Sequence, residues 1–401
     1  MKVLFLSRWF PYPPSNGSKL RIYNLIRGLS TRHQVTLLSF ADQPQTDPHV
    51  PELASLCRDV RVVPWRPFNP NSQRARLGFL SPLPRSVIDT FSQVMKECIE
   101  QTLERADYDL VIASQVDMAA YSPYFRPMPA LFEEAEVGAL YERFTRARSP
   151  WQCLRYGLTW GKHRRYLVSL LRNFRTCTVV SERERQLLVQ AVPGYRATEV
   201  IPNCVDLASY AGIQEEPQPN TCIFTGSFTY FPNYEAMLWF LREVYPHIQA
   251  QVPEVHLSIT GNHAGLPLPP ATGVTLTGFV DDVRPLIARS WASIVPLHTG
   301  GGTRLKILEA MALKTPVVAT TKGAEGLDVQ PGKHLMIADT PQDLAHSIVR
   351  LFKEPELHRQ IAENAYRLVS EKYHWEAIMP RFLELVEQTA GLGVFGNKPG
   401  F

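Results

Sequence analysis

The feature that most constrains this chain is a repeated alternation of short, continuously apolar runs with segments of helical spacing. The runs are KVLFLS (2–7), QVTLLSF (34–40), DVRVVPW (59–65), DLVIAS (109–114), ALFEEA (130–135), CTVVS (177–181) and TEVIPN (198–203). Helical spacing fills 18–30, 86–105, 152–174 and 182–191. A strand without polar alternation is buried on both faces, and strands joined through helices pair in parallel. The polar stretch DLASYAGIQEEPQPNT (206–221), with two prolines, breaks the rhythm and reads as a linker. The alternation then restarts with CIFTG (222–226), a helix near 233–250, VHLSITG (255–261), GVTLTG (273–278), a short helix near 282–289, ASIVPL (292–297), TPVVAT (315–320) and HLMIA (334–338). Helices near 341–353, 355–371 and 375–390 close the chain. The expected fold class is α/β: two doubly wound Rossmann-like domains facing a central cleft, where ligands of open parallel sheets usually bind. The expected boundaries are 1–205 for an N-terminal, acceptor-side domain and 206–372 for a C-terminal, nucleotide-sugar-binding domain, with a helix in 373–401 packing back toward the first domain, plus a tail. A length of 401 residues suits two cores better than one.

Composition removes several function classes. The six cysteines form no CxxC pair, which fits reduced thiols in a cytosol, and the eleven histidines show no HExxH or HxxxH spacing, so no metal site is expected. No run of about 18 apolar residues suggests a membrane span. The first residues read as a buried strand rather than a signal peptide, so a cytoplasmic location is expected. The net charge of +4 conceals a basic stretch: from Arg143 to Arg175 there are nine Lys or Arg and no Asp or Glu. Phe144, Trp151, Tyr156, Trp160, Tyr166 and Phe174 interleave it. Such a stretch is compatible with an ordinary helix whose aromatics pack inward, with an anionic membrane surface or acceptor on the inner face of a cell membrane, or with nucleic acid, the least favoured of the three.

The segment PLHTGGGTRLKILEAMALKTPVVAT (296–320) concentrates the chemistry. An apolar strand ends at Leu297, and Gly300, Gly301 and Gly302 let backbone approach a ligand without a Cβ between. Thr303 is expected to begin a helix, whose free N–H groups favour a phosphate. Arg304 and Lys306 oppose the helix dipole at that end, so a bound diphosphate would account for them. Glu309 lies one turn on and leans back toward the loop, where a carboxylate suits ribose hydroxyls; a plain Lys306–Glu309 ion pair is the competing reading. Neither GxGxxG nor GxxxxGK[ST] occurs here, which disfavours dinucleotide and P-loop readings, and no cofactor is expected.

At these residues the chain resembles a family. GGTRLKILEAMALKTPVVAT is similar to the donor-site signature of group 1 (family four) retaining glycosyltransferases of the GT-B fold. VIPNCVD (200–206), FTGSFTYFPNYEAMLWFL, GFVDDVRPLIARS and YHWEAI match in spacing, and PYPPSNGSKLRIYNLIRGL resembles bacterial exopolysaccharide sugar transferases. The resemblance implies that Glu309, the second glutamate of the family's Glu-x7-Glu motif, holds the donor ribose. The first glutamate falls on Gly301, so the usual sugar-contacting carboxylate is missing. The family's basic pair normally follows the first C-terminal strand; here that loop, GSFTYFPN, begins at Gly226 and carries no cation, so Arg304 and Lys306 are expected to substitute. The base is expected near the backbone of Phe279 and Val280. Gly17 would let backbone approach the diphosphate from the other wall, although it also suits a plain turn. Glu134 falls where relatives carry the histidine of H-N-x-E, and would orient or deprotonate an acceptor hydroxyl; Glu133 and Glu136 lie close enough in sequence to raise one carboxyl's pKa. His298 stands either for the missing glutamate or for a structural histidine.

The implied reaction is sugar transfer from a nucleotide diphosphate donor, UDP favoured over GDP, to a saccharide or lipid-linked hydroxyl with retention and without a metal, in cell-surface polysaccharide or glycolipid synthesis. A nucleotide-sugar 2-epimerase and a non-catalytic module for anionic surfaces are the alternatives.

Overall fold

The computed structural model describes residues 1–41, 43, 45–301 and 304–391. The chain divides into two compact units, one formed by 1–201 together with the segment from Met379 onward, the other by Pro202–Ile378.

The first unit carries a seven-stranded sheet: β1 (Lys2–Ser7), β2 (Gln34–Ala41), β3 (Asp59–Pro64), β4 (Leu110–Ser114), β5 (Ala130–Glu133), β6 (Thr176–Val179) and β7 (Thr198–Val200). Its order is β3-β2-β1-β4-β5-β6-β7, with every pair parallel. Val3 sits between Val35 and Leu110 in this register, so the apolar run of β1 is covered on both sides. The helix Gly17–Ser30 follows β1; Asn16 caps it by accepting from the Lys19 amide at 3.0 Å. Its buried Ile22, Leu25, Ile26 and Leu29 follow the spacing of a single helical face. From the C-terminal helix Trp375–Ala390, Thr389 reaches Thr176 at 3.0 Å, and its carbonyl accepts from Arg175 at 3.1 Å.

The second unit carries six parallel strands: β8 (Gln218–Thr225), β9 (His256–Thr260), β10 (Val274–Gly278), β11 (Ser290–Val295), β12 (Val317–Ala319) and β13 (Met336–Ile337), in the order β10-β9-β8-β11-β12-β13. Each unit has its own apolar core, centred on Leu4, Leu38, Val111 and Phe132 in the first and on Phe224, Phe240, Leu257 and Ile294 in the second.

Three expectations are corrected. The helix expected over 86–105 is two helices, Arg85–Thr90 and Gln93–Arg105. Phe91 leaves helical geometry to stack on Tyr121 at 5.0 Å, and Ser92 restarts the helix as a cap, its hydroxyl accepting from the Met95 amide at 3.3 Å. The linker expected over 206–221 is shorter, because β8 begins at Gln218 and Tyr210 is buried. The helix near 233–250 starts at Phe231 and passes through a wide turn over Phe240–Val244 before resuming at Tyr245–Gln249. Pro246 has no N–H to give to a regular helical bond, and the wider turn accommodates its ring.

Candidate active site

In a parallel sheet every strand delivers its following loop to the same edge, and the second unit uses this to gather its glycines. Gly226 follows β8, Gly261 follows β9, Gly278 ends β10, and Gly300 and Gly301 follow β11. Gly226 (φ 154°), Gly261 (φ 118°) and Gly300 (φ 101°) all occupy backbone that side chains disfavour. A Cβ on Gly261 would lie 2.7 Å from the Gly226 carbonyl carbon, so the two loops touch backbone to backbone. A Cβ on Gly300 would meet the Tyr230 hydroxyl at 2.3 Å.

Lys306 lies directly beneath this edge. Its ammonium would be 2.8 Å from a Cβ at Gly226, donates to Asn233 Oδ1 at 3.1 Å, and rests 4.3 Å from the centre of the Phe224 ring. Asn233 is itself buried and fixed by donating to the Ser227 carbonyl at 2.8 Å. Burial, aided by the Arg304 guanidinium, pushes the Lys306 pKa down to about 7, with Glu309 pulling the other way. The loop after β8 carries no cation of its own, yet Lys306 delivers one to it from the helix that follows the adjacent strand β11.

Arg304 is placed differently. Its guanidinium donates to the Gly301 carbonyl and, at 2.8 Å, to the Gly300 carbonyl, and it is buried. Arg304 thus braces the glycine loop from below, while Lys306 presents an amine. The helix itself is Leu305–Ala312 with Arg304 at its cap, so the expected start at Thr303 is corrected; Gly302 and Thr303 lie outside the described residues. Leu305, Ile307, Leu308, Met311 and Ala312 seat the helix in the core.

Glu309 does not pair with Lys306. Its carboxylate accepts from the Tyr210 hydroxyl at 3.3 Å, and burial raises its pKa to about 7 against that hydrogen bond and the nearby Lys306 and Arg284. Arg284, paired with Asp282 at 2.8 Å, donates to the Ser209 carbonyl and so holds the turn that carries Tyr210. Phe279 follows β10 with its ring 63% exposed, next to the half-buried Val280. His298 packs edge-on against Trp239 with ring centres 4.3 Å apart. Thr299 donates to Glu235 at 3.2 Å, which puts a carboxylate beside the loop in which Gly301 stands.

The first unit holds the remaining candidates. Gly17 is the first residue of its helix rather than a plain turn glycine. Glu134 follows β5 in left-handed backbone (φ 57°), its amide donating to Thr178 Oγ1 at 3.1 Å. Gln115, also left-handed at φ 66°, donates to the Glu134 carboxylate at 2.9 Å and accepts from the Trp9 indole at 3.1 Å. The adjacent Glu133 is fully buried, accepting from Arg21 at 2.7 Å and from Ser114 at 2.6 Å. Burial first and the Glu133 charge second raise the Glu134 pKa to about 7, as the clustered carboxylates predicted. Glu133 is thereby committed to structure, and Glu134 is the carboxyl that titrates near neutrality.

Sequence reasoning missed Tyr210, Asn233, Tyr230, Glu235, Arg284 and Gln115. Tyr210 was hidden inside the supposed linker; Tyr230, Asn233, Glu235 and Arg284 lie in segments that match the family in spacing but were given no role, and Gln115 lies in none. The cation-free loop after β8 was the one signal that a distant cation must serve it.

Residues 219–354 match the family model of glycosyl transferases group 1. Curated relatives include an uncharacterized 44.6 kDa protein in the cps region of Klebsiella pneumoniae, 26% identical over 38% of this chain and 42% of the relative. Another is glycosyltransferase 1 domain-containing protein 1 of Xenopus tropicalis, 30% identical over 39% and 48%. The chain thus spans less than half the length of these curated relatives it matches. Among solved structures, HepE of Anabaena in complex with UDP aligns over 97% of this chain and 100% of that chain at 18% identity with a TM-score of 0.66. Sucrose-phosphate synthase from Thermosynechococcus elongatus aligns over 98% and 100% at 17% identity with a TM-score of 0.69. On these findings the chain has the two-unit parallel α/β fold of the GT-B glycosyltransferases and is similar, over 219–354, to group 1 glycosyl transferases.

Proposed function

We propose that this protein is a glycosyltransferase that moves a sugar from a nucleotide diphosphate donor to an acceptor hydroxyl with retention of anomeric configuration. The observation that carries the reading is Lys306, a desolvated amine held by Asn233 under the Gly226 loop, within the segment that matches the group 1 family. The bond from the sugar's anomeric carbon to the phosphate oxygen breaks and its electron pair stays on the diphosphate. Lys306, protonated in the complex, compensates that charge in a site that excludes water. The acceptor oxygen bonds to the anomeric carbon on the face the diphosphate leaves, and its proton passes to the departing phosphate oxygen. No protein nucleophile and no resident metal enters the step.

Glu309, held by Tyr210, receives the ribose hydroxyls; Phe279 and Val280 flank the base. Arg304 acts on the leaving group through the loop it braces by the Gly300 and Gly301 carbonyls, and Gly226, together with Gly302 and Thr303 outside the described residues, completes the proposed donor contacts. Glu235 supplies near Gly301 the carboxylate that the motif lacks, with His298 lining the same loop. The first unit provides Gly17 and, for the acceptor hydroxyl, Glu134. The UDP complex of HepE supports UDP over GDP, and the cps-region relative supports a part in surface-polysaccharide synthesis, with a saccharide or lipid-linked hydroxyl as the proposed acceptor. A cytoplasmic location follows from that role, with the acceptor-side domain over 1–205, the donor domain over 206–372, and the helix in 373–401 belonging with the former.

The test incubates the protein with UDP-sugars, with and without saccharide acceptors, and follows the anomeric signals by NMR. Transfer with a retained anomer is expected. Conversion of the donor in the absence of acceptor would instead identify an epimerase.

A further inference from the structure

The first unit exposes a set of large apolar side chains that its core does not use. The 22-residue helix Pro150–Leu171 buries only His163, Tyr166, Leu167, Leu170 and Leu171, all in its second half. Its first three turns carry Trp151 81%, Leu154 56% and Leu158 62% exposed, before Trp160 meets the core. The spacing of these three, at positions i, i+3 and i+7, places them on one stripe. Trp151 thereby does not fit the inward-packing reading of this stretch, whereas Tyr166, and Phe174 just beyond the helix, do.

A second segment joins the stripe. After the short helix Gln73–Leu77, Leu77, Phe79 and Leu80 are 70%, 63% and 90% exposed. This turn is tied down: Lys162 of the long helix donates to the Phe79 carbonyl at 2.8 Å and the Gly78 carbonyl at 3.3 Å. Arg85 donates to the Ala75 carbonyl at 2.7 Å and stacks 3.8 Å from the Phe79 ring centre. A fixed turn with Leu80 almost wholly exposed is a presented feature, and exposed apolar groups brought together this way mark an interaction surface.

The charge around the surface selects the partner. The nine cations of 143–175 are matched by four arginines and no acid over 65–88, so the two segments contribute thirteen cations and no carboxylate. Apolar and indole groups carried on segments with exposed Arg74, Arg76 and Arg155, and with Lys162 at the turn, suit the boundary between lipid headgroups and acyl chains, and the cations suit anionic headgroups. We infer that the Leu77–Leu80 turn and the first half of helix Pro150–Leu171 together form a docking face for an anionic lipid surface, into which Leu80 and Trp151 insert. The inference stands apart from the donor-site reading, since none of its residues belongs to that site.

The test uses the whole chain and sedimentation with phosphatidylcholine vesicles, with and without phosphatidylglycerol, across a salt series. The native protein should sediment with the anionic vesicles and be released by salt. Leu80→Ser combined with Trp151→Ser should weaken partition at least about tenfold, and Arg76→Gln combined with Arg155→Gln should flatten the salt dependence. Both side chains replaced by serine are more than four-fifths exposed, so folding is not at stake, and UDP binding by calorimetry should be unchanged in both variants. Failure of the native protein to bind, or undiminished binding by the serine variant, would overturn the inference. A serine variant that turns a dimer into a monomer in light scattering, with unaltered lipid binding, would assign the face to a second copy of the chain instead.

Discussion

A lysine whose ammonium rests on an aromatic ring and one amide oxygen has lost most of its water, and Lys306 responds by holding its proton loosely, with a pKa near 7. An arriving diphosphate restores the charged form, so donor binding should take up a proton. Calorimetry at pH 7.5 in buffers of different ionisation enthalpy should show that uptake, and UDP affinity should fall as pH rises above about 7, where the free site is neutral. Lys306→Ala should lower kcat by about a hundredfold or more while leaving the far-UV spectrum intact; near-native turnover would remove Lys306 from the leaving-group role. Glu134 shifts the other way, upward to about 7, so the carboxylate that orients the acceptor hydroxyl is ionised only as pH rises through that value. At saturating donor, where Lys306 stays protonated, kcat/KM for the acceptor should therefore climb across pH 7, and Glu134→Gln should erase the climb; an unaltered profile would return Glu134 to a purely structural place. Tyr210→Phe, which strips Glu309 of its hydrogen bond, should weaken UDP binding severalfold, about 1 kcal/mol.

Elements were legible wherever burial alone decided them. The strand runs carry their apolar character on both faces, and helix Gly17–Ser30 shows its buried stripe in the helical spacing of 18–30. What escaped reading was decided by contacts with distant residues. Phe91 interrupts a good helical pattern because Tyr121, thirty residues on, offers it a stacking face. The Ser92 cap makes the break permanent, and Ser92→Ala should lower unfolding free energy by about 1 kcal/mol in a denaturant titration. Tyr210 could not be told from linker because its value lies in Glu309, ninety-nine residues away. Lys306 and Glu309 were readable from the helix that carries both; their separation, one to Asn233 and one to Tyr210, was not, since it depends on contacts seventy-three and ninety-nine residues away. Arg304 was readable as a cation but not as a brace, because its acceptors are carbonyls of its own loop.

At the scale of the whole molecule, each unit has its own core, so heating should resolve two transitions in calorimetry. UDP at a hundredfold excess over its Kd should add about 2.7 kcal/mol to the unit that binds it. The unit of Pro202–Ile378 should move and the other should not, and Lys306→Ala should abolish the movement. An equal shift of both transitions would contradict the assignment of the donor to the second unit.

The first half of helix Pro150–Leu171 carries a kinetic consequence. A protein docked through that face meets a lipid-linked acceptor by lateral diffusion, and its rate then follows the acceptor's surface density, not its bulk concentration. Diluting vesicles in carrier lipid at constant total acceptor should slow the native protein, whereas a variant lacking Leu80 and Trp151 should be nearly indifferent to that dilution.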